Sequence, residues 1–491
     1  MSHFKAKSQV GTEQVLTPQD IDFGVGLLNY NPNSRLEDYH VIHHKTPSPH
    51  HELKLSTLDV SMAKNWMPFS YAFENINANP EFMNPILLMD SLSKTLDLMP
   101  AFSGRIEMEG GSPYDFFRPL GSMKLKLNNK GAWFCTEKLN FSFSEIRDKH
   151  FGKSIIPSEC SFNTFMKAAI LARDGLSDVP VLAIKALYFP CGSVILTAHI
   201  SHLIADGRSM YEFIKLWSQV AMKRTTSPLN DCRHFGDAKE LLSQEKSEQV
   251  KADFCAMSPY IPSSANVKPC CFSIHIDKLE KLKQQVNASF ADGEWVSTND
   301  IVCAMINRMV IRARKLDPDS YFSAGRTVDL RSRMGLESTA FGNYVGIHMG
   351  EKLQVRDVLN QTLAQTALTL RKFLNNYTPK KITQLIQNYS SVPPDAIPFQ
   401  LAGTKCDVDF IVTSLVRFDP SQVNFDNSPG IFFSGSYYLE GGLSLNPIYR
   451  FHLSGVAVIA DAHAEAFLND SEAQEFGFLA EPMPFNLYST N

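Results

Sequence analysis

Long apolar runs, paired cysteines and net charge are all scarce in this sequence, and each scarcity excludes a class of protein. No stretch approaches the ~18 consecutive apolar residues that a membrane-spanning helix needs, so no membrane partner is expected. The nine cysteines, at positions 135, 160, 191, 232, 255, 270, 271, 303 and 406, are odd in number and contain no CxxC pair. That pattern argues for buried thiols in a reducing compartment and against a disulfide framework or a zinc site. Lys and Arg number 47 against 51 Asp and Glu, a net charge of -4, which gives no general attraction to nucleic acid. A small anionic ligand would need a local basic patch. The N-terminal MSHFKAKSQVGTEQVL lacks the apolar core of a signal peptide, so a cytoplasmic location is expected.

What is present is enough for two cores. At 491 residues, 44% hydrophobic with 34 Phe, the chain is too long for one core, and two domains of roughly 200 residues are expected. Residues 1–52 read as an irregular N-terminal extension broken by Pro18, Pro32, Pro47 and Pro49. His40, His43, His44, His50 and His51 crowd its end, without the carboxylate or cysteine spacing of a metal site, and read as a solvated loop. A first domain spans 53–223. Within it, Asn84 caps and Pro85 opens a helix with Leu88, Leu92, Leu96 and Met99 on one face. Residues 224–268 are polar and proline-interrupted, a crossover linker helical around 237–250. A second domain spans 269–491, with a helix from Ser297 to Arg314, short strands near 327–330 and 410–417, and a long helix from Val355 to Asn375. Strands interleaved with helices make an α/β class.

The chain is organised around Ser193–Met210, SVILTAHISHLIADGRSM. Val194, Ile195 and Leu196 predict a buried strand that delivers His202 just past its end. Gly207 is expected to free the backbone for a turn, and Met210, Phe213, Ile214, Trp217 and Val220 fall at helical spacing. An imidazole on a loop between rigid elements suits a general base, its pKa lying near working pH. Asp206, four residues on, either orients that ring or anchors the loop by an ion pair. His199, alternating with Thr197 on the strand, reads as a core residue.

Several separated segments carry a family resemblance. His202 to Gly207 matches HxxxDG. Leu55–Asp59 matches LSxLD, Gly104-Arg105 an AGR turn, Val328–Arg333 VDxRSR, Phe341–Asn343 FGN, and Thr413–Arg417 TSWxR. In order over about 360 residues, these make the chain resemble the BAHD acyltransferases of the chloramphenicol acetyltransferase-like superfamily, from about Leu53 to about Phe478. The resemblance implies two similar α/β domains, each a mixed sheet flanked by helices, with a channel between them. It implies acyl-CoA as co-substrate, no permanently bound cofactor or metal, a monomer, and a small hydroxyl or amine acceptor of specialised metabolism. By the same resemblance His202 is the catalytic base, Asp206 pairs with Arg331, Gly207 supports the loop, and Thr413 is an oxyanion candidate. Ser297, at a helix N-terminus with free amides, and Ser414 are candidate CoA contacts. The basic pairs Lys380-Lys381 and Arg371-Lys372 read as solvated surface.

The chain departs from the family in two places. Leu415 stands where the motif has tryptophan, and Asn424–Ser428 replaces DFGWG with its phenylalanine alone retained. The second departure brings in a non-catalytic accessory protein on the same fold as another reading. A carrier-protein-dependent transferase is a third, against which Ser201, rather than a second histidine, precedes His202.

Overall fold

The computed structural model describes residues 40–48, 50–62, 66–108, 123–151, 179–258, 267–405, 407–435 and 441–482. Most of the expected 1–52 extension, much of the Phe-rich stretch at 115–170, Cys160 and Cys406 lie outside the described residues. Two mixed sheets, each flanked by helices, form the architecture. The first has six strands in the order His40–Ile42, Ala132–Lys138, Leu182–Tyr188, Val194–Ser201, Trp66–Phe73, Phe432–Ser434. The second has seven, in the order Val345–Met349, Ala324–Asp329, Phe410–Ser414, Gly442–Leu445, His452–Ala460, Val267–His275, Phe478–Pro482.

All eight residues of Val194–Ser201 are buried, as befits a strand covered on both faces and flanked on both edges. It pairs antiparallel with both neighbours, placing His199 opposite Pro68 and Ala183. The helix Pro85–Leu98 has Asn84 as its cap, its side chain accepting from Ile86 N–H, and buries Leu88, Leu92 and Leu96. The helix Thr298–Arg314 lies almost wholly inside the second core.

Several elements differ from the sequence reading. The end of the N-terminal stretch is not irregular: His40–Ile42 and Glu52–Lys54 are strands, paired with Ala132–Phe134 and Lys124–Lys126. The linker helix runs over Gln244–Ala256, because Ala238 and Leu242 N–H are instead held by the Ser390 and Ser391 hydroxyls. The expected long helix is two, Val355–Asn360 and Leu363–Asn375, separated where Thr362 and Gln365 form a capping box. The Lys380-Lys381 pair is exposed, as the solvated-surface reading has it, on a helix, Pro379–Ser390, capped by Thr378.

One strand ties the halves together. Phe432–Ser434 pairs antiparallel with Ser70–Ala72 of the first sheet, although it comes late in the chain. Leu415, Phe418, Val423, Phe425 and Phe433 pack in the first core with it. Among the described residues no helix is long and apolar enough to cross a membrane, and no group of three or more His, Cys, Asp or Glu is placed to hold a metal ion. The seven described cysteines are free thiols, five of them buried.

Candidate active site

His202 follows directly on Val194–Ser201, and the helix Gly207–Ala221 begins five residues later. The helix starts two residues ahead of the expected Ser209 because Asp206 supplies its cap: extended in backbone, it accepts Ser209 N–H at 2.9 Å. Gly207 does not serve a left-handed turn. It lies in the first helical turn, where an added Cβ would stand 3.3 Å from Phe418 and 3.6 Å from Phe69, so the missing side chain admits the Phe418 ring.

Asp206 and Arg331 come together as a two-pronged ion pair. Nη1 donates to Oδ2 and Nη2 to Oδ1, both at 2.9 Å, the planar fork geometry that favours arginine. Tyr344 N–H also donates to Asp206, at 2.8 Å. Burial pushes the Asp206 carboxyl up, but the Arg331 guanidinium and the two N–H donors outweigh it and hold it below the ordinary carboxylate value. Arg331 donates further to Ala340 O and Ser209 Oγ, each at 2.9 Å, and lies 5.0 Å from the Tyr344 ring. Among the described residues no hydrogen bond runs from Asp206 to the imidazole; its geometry is that of a loop anchor between the halves.

The imidazole meets a different residue. His202 Nδ1 lies 3.2 Å from Asn343 Oδ1, and Asn343 Nδ2 donates to His202 O at 2.9 Å and to Asp59 Oδ1 at 2.7 Å. Asp59 is fully buried. Its Oδ1 also accepts Asn343 N–H, its Oδ2 accepts Ser56 N–H and Oγ–H, and Arg233 Nε stands 3.2 Å from Oδ2. Burial raises the Asp59 carboxyl pKa, with Arg233 the first of several groups opposing it. Arg233 donates in turn to Ile204 O, inside the His202 loop, and its guanidinium lies 4.6 Å from the Phe341 ring. Burial likewise lowers the His202 pKa from the ordinary histidine value, against raising contributions from its own backbone, Asp206 and Asn343. The backbone of Ala205, in the same loop, also raises it.

The remaining expected residues make other contacts. Thr413 and Ser414 end the strand Phe410–Ser414, partly buried, and the chain then enters the first core at Leu415 and Phe418. No hydrogen bond joins either to the His202 set. Ser297 caps the helix Thr298–Arg314, its hydroxyl donating to Asp300 Oδ2 at 2.7 Å within a capping box. Arg371 is not solvated surface: it pairs with buried Asp300, which Arg326 also holds, at 2.7 Å. Lys372 pairs with Glu294 at 2.8 Å.

Sequence reasoning attaches no role to Asp59, Asn343 or Arg233. The first two lay inside quoted motifs to which no role was attached, and Arg233 sat in the presumed linker, where no pattern marked it.

The altered loop at 424–428 is a tight hairpin, Asn424–Phe425 against Ser428–Pro429. Asp426 and Asn427 have φ of 52° and 60°, the both-positive pattern of a two-residue type I′ connection. Asp426 Oδ2 accepts Met83 N–H at 3.2 Å, and Asn427 N–H reaches Met222 Sδ at the C-cap of Gly207–Ala221. The hairpin thus sits at the far end of that helix from the His202 loop, about 20 Å away at 1.5 Å per residue.

Comparison with known proteins places this geometry in context. The model of the Transferase family matches residues 36–443. Anthranilate N-benzoyltransferase protein 2 of Dianthus caryophyllus is 22% identical over 379 residues, 74% of this chain and 79% of that protein. Rosmarinate synthase of Plectranthus scutellarioides is 23% identical over 319 residues, 63% of this chain and 69% of that protein. Among solved structures, F. sporotrichioides TRI101 complexed with coenzyme A and T-2 superimposes with a TM-score of 0.71 at 17% identity, over 88% of this chain and 99% of that one. Vinorine synthase gives 0.62 at 18%, over 88% and 95%. The fold is therefore shared with these structures, and with most of its length matched by the family model, the chain belongs to the Transferase family, the BAHD acyltransferases.

Proposed function

We propose that the protein transfers an acyl group from an acyl-CoA thioester directly to the hydroxyl or amine of a small-molecule acceptor, with His202 as general base. The observation that carries this reading is the imidazole itself: it is held at Nδ1 by Asn343, at the seam where the 202–206 loop meets residues 340–344. The acceptor's proton passes to Nε2 as its oxygen or nitrogen attacks the thioester carbonyl. The tetrahedral intermediate then collapses, the C–S bond breaks, and the thiolate takes the proton back from Nε2. Thr413 Oγ1–H is our candidate donor to the oxyanion. Asp206 and Arg331 hold the loop without touching the reacting atoms, and Gly207 lets Phe418 close against it. Ser297 and Ser414 are our candidates on the CoA side. Coenzyme A with T-2 in one structural neighbour, and benzoyl transfer to an amine in one relative's name, support a CoA donor with either acceptor class. The altered hairpin does not favour a non-catalytic reading, since it lies a helix length from His202 and completes the packing of Phe425 on Trp217 and Phe73.

Release of free CoA thiol, measured across a panel of acyl-CoAs with pooled alcohols and amines, tests the proposal. His202→Ala is expected to lose at least ~100-fold in turnover, the usual weight of a general base. The acid limb of kcat/KM is expected below the ordinary histidine value of 6.5, because burial lowers the His202 pKa. A wild-type protein that neither binds acyl-CoA nor turns over, or a variant as active as wild type, would overturn it.

A further inference from the structure

We infer that Asn343, itself held by Asp59, is a positioning residue that keeps the His202 proton on Nδ1 and leaves the Nε2 lone pair for the acceptor. The inference rests on the reading of His202 as the base and adds how that base is set. Asn343 is 1% exposed and Asp59 0%, so neither reaches a substrate from solvent.

The argument is one of donor and acceptor parity. Asn343 Nδ2 faces two acceptors, Asp59 Oδ1 at 2.7 Å and His202 O at 2.9 Å. Turning the amide over would set its oxygen against both of them, in a buried place where opposed lone pairs are costly. The amide oxygen therefore faces His202 Nδ1, at 3.2 Å. An acceptor there requires Nδ1 to carry the proton, and a neutral imidazole then has its lone pair at Nε2. The alternative tautomer would oppose two lone pairs at that distance.

Asp59 fixes the chain of polarity one step further back. Every group meeting its two oxygens is a donor: Ser56 N–H and Oγ–H, Asn343 N–H and Nδ2–H, with the Arg233 guanidinium alongside. An ionised carboxylate, which accepts at all positions, fits that surround. Arg233 also donates to Ile204 O, so the cation that balances Asp59 grips the loop carrying His202. The charged groups packed around the His202 loop are thus Asp59 with Arg233, which Asp231 also pairs, and Asp206 with Arg331, which Asp329 also pairs.

The test uses the full-length chain labelled with 15N-histidine, with His202 assigned by the signal missing in His202→Gln. The wild-type imidazole is expected as the Nδ1–H tautomer. In Asn343→Leu, the signal is expected to lose that preference, with kcat down ~10–100-fold, the usual weight of an outer partner that fixes a histidine, and KM within ~3-fold. Asn343→Asp sets two carboxylates face to face and is expected to be poor. Combining it with Asp59→Asn restores an acceptor toward Nδ1 and a donor behind it, so the double variant is expected to recover at least ~10-fold over Asn343→Asp. It should also move the acid limb of kcat/KM upward, because a carboxylate now faces the imidazole. The tautomer signal is the readout that a purely structural role would not move. An Nε2–H wild type overturns the inference, and so does a folded Asn343→Leu with unchanged tautomer and kcat. If Asn343→Leu does not fold, the wild-type spectrum and the double variant decide. If the Nδ1–H tautomer is found but no acceptor is ever acylated, the proposed function fails while the hydrogen-bond assignment stands.

Discussion

His199 and His202 lie three residues apart and answer to opposite demands. His199 is 1% exposed in the middle of a strand, and burial, with a contribution from Lys185, drives its pKa down to about 3. It is a core residue that must stay neutral to be tolerated, and that has a consequence for stability. Its pKa in the folded chain lies below the unfolded value of 6.5, so the unfolded state binds the extra proton. Its contribution is complete above about pH 6.5 and is lost progressively as pH falls toward 3, at about 1.4 kcal/mol per unit. Urea unfolding of wild type and His199→Gln between pH 7 and 4 is expected to show a shallower pH slope in the variant by close to one proton. Equal slopes would mean the ring is already charged in the fold. The Asp206–Arg331 pair poses the converse case: a buried ion pair is weak evidence of net stabilisation, but removing one partner strands a charge, at a cost of about 3–5 kcal/mol. That asymmetry is the physical reason for such a pair to anchor a loop that must not drift.

Among the elements, the 424–429 hairpin shows how a local substitution of motif can be neutral to chemistry. Its two central residues have left-handed φ, a conformation asparagine tolerates and alanine resists. Asn427→Ala is expected to cost about 1 kcal/mol in urea unfolding, Asn427→Gly little or nothing, and neither to change KM for acceptor or donor. An altered KM would place the hairpin nearer the substrates than its contact with Met222 allows. What could be read from sequence at this scale was whatever rested on local periodicity. Val194–Leu196 followed by Met210, Phe213 and Trp217 declares a strand and a helix with His202 between them. The break at Thr362 was signalled by its own capping box, yet the apolar spacing runs through it and concealed the joint. Thr378-Pro379 likewise announces a helix start that the adjacent lysines drew attention from. Asn343 and Asp59 are 284 residues apart, and no spacing rule brings together two polar residues whose proximity is created by the packing of two sheets. The Asp206–Arg331 expectation came from resemblance for the same reason.

For the whole molecule, the placement of Phe432–Ser434 matters most. Because this strand completes the edge beside Trp66–Phe73, and Leu415, Phe418 and Phe425 fill the first core, the N-terminal half is expected not to fold as a self-sufficient domain. A fragment ending at residue 258 is expected to be aggregated or unfolded by gel filtration and circular dichroism. Co-expression with residues 267–491 is expected to restore one cooperative transition. A monomeric fragment with its own sharp melt would refute this. The same feature sets a schedule for synthesis. Trp66–Phe73 leaves the ribosome about 360 residues ahead of the strand that covers it, an interval of about 20–70 s at the usual elongation rates. Throughout that interval the nascent protein carries an open, strongly apolar sheet edge, so its yield in a cell depends on how well chaperones occupy that edge until the last eighth of the chain arrives.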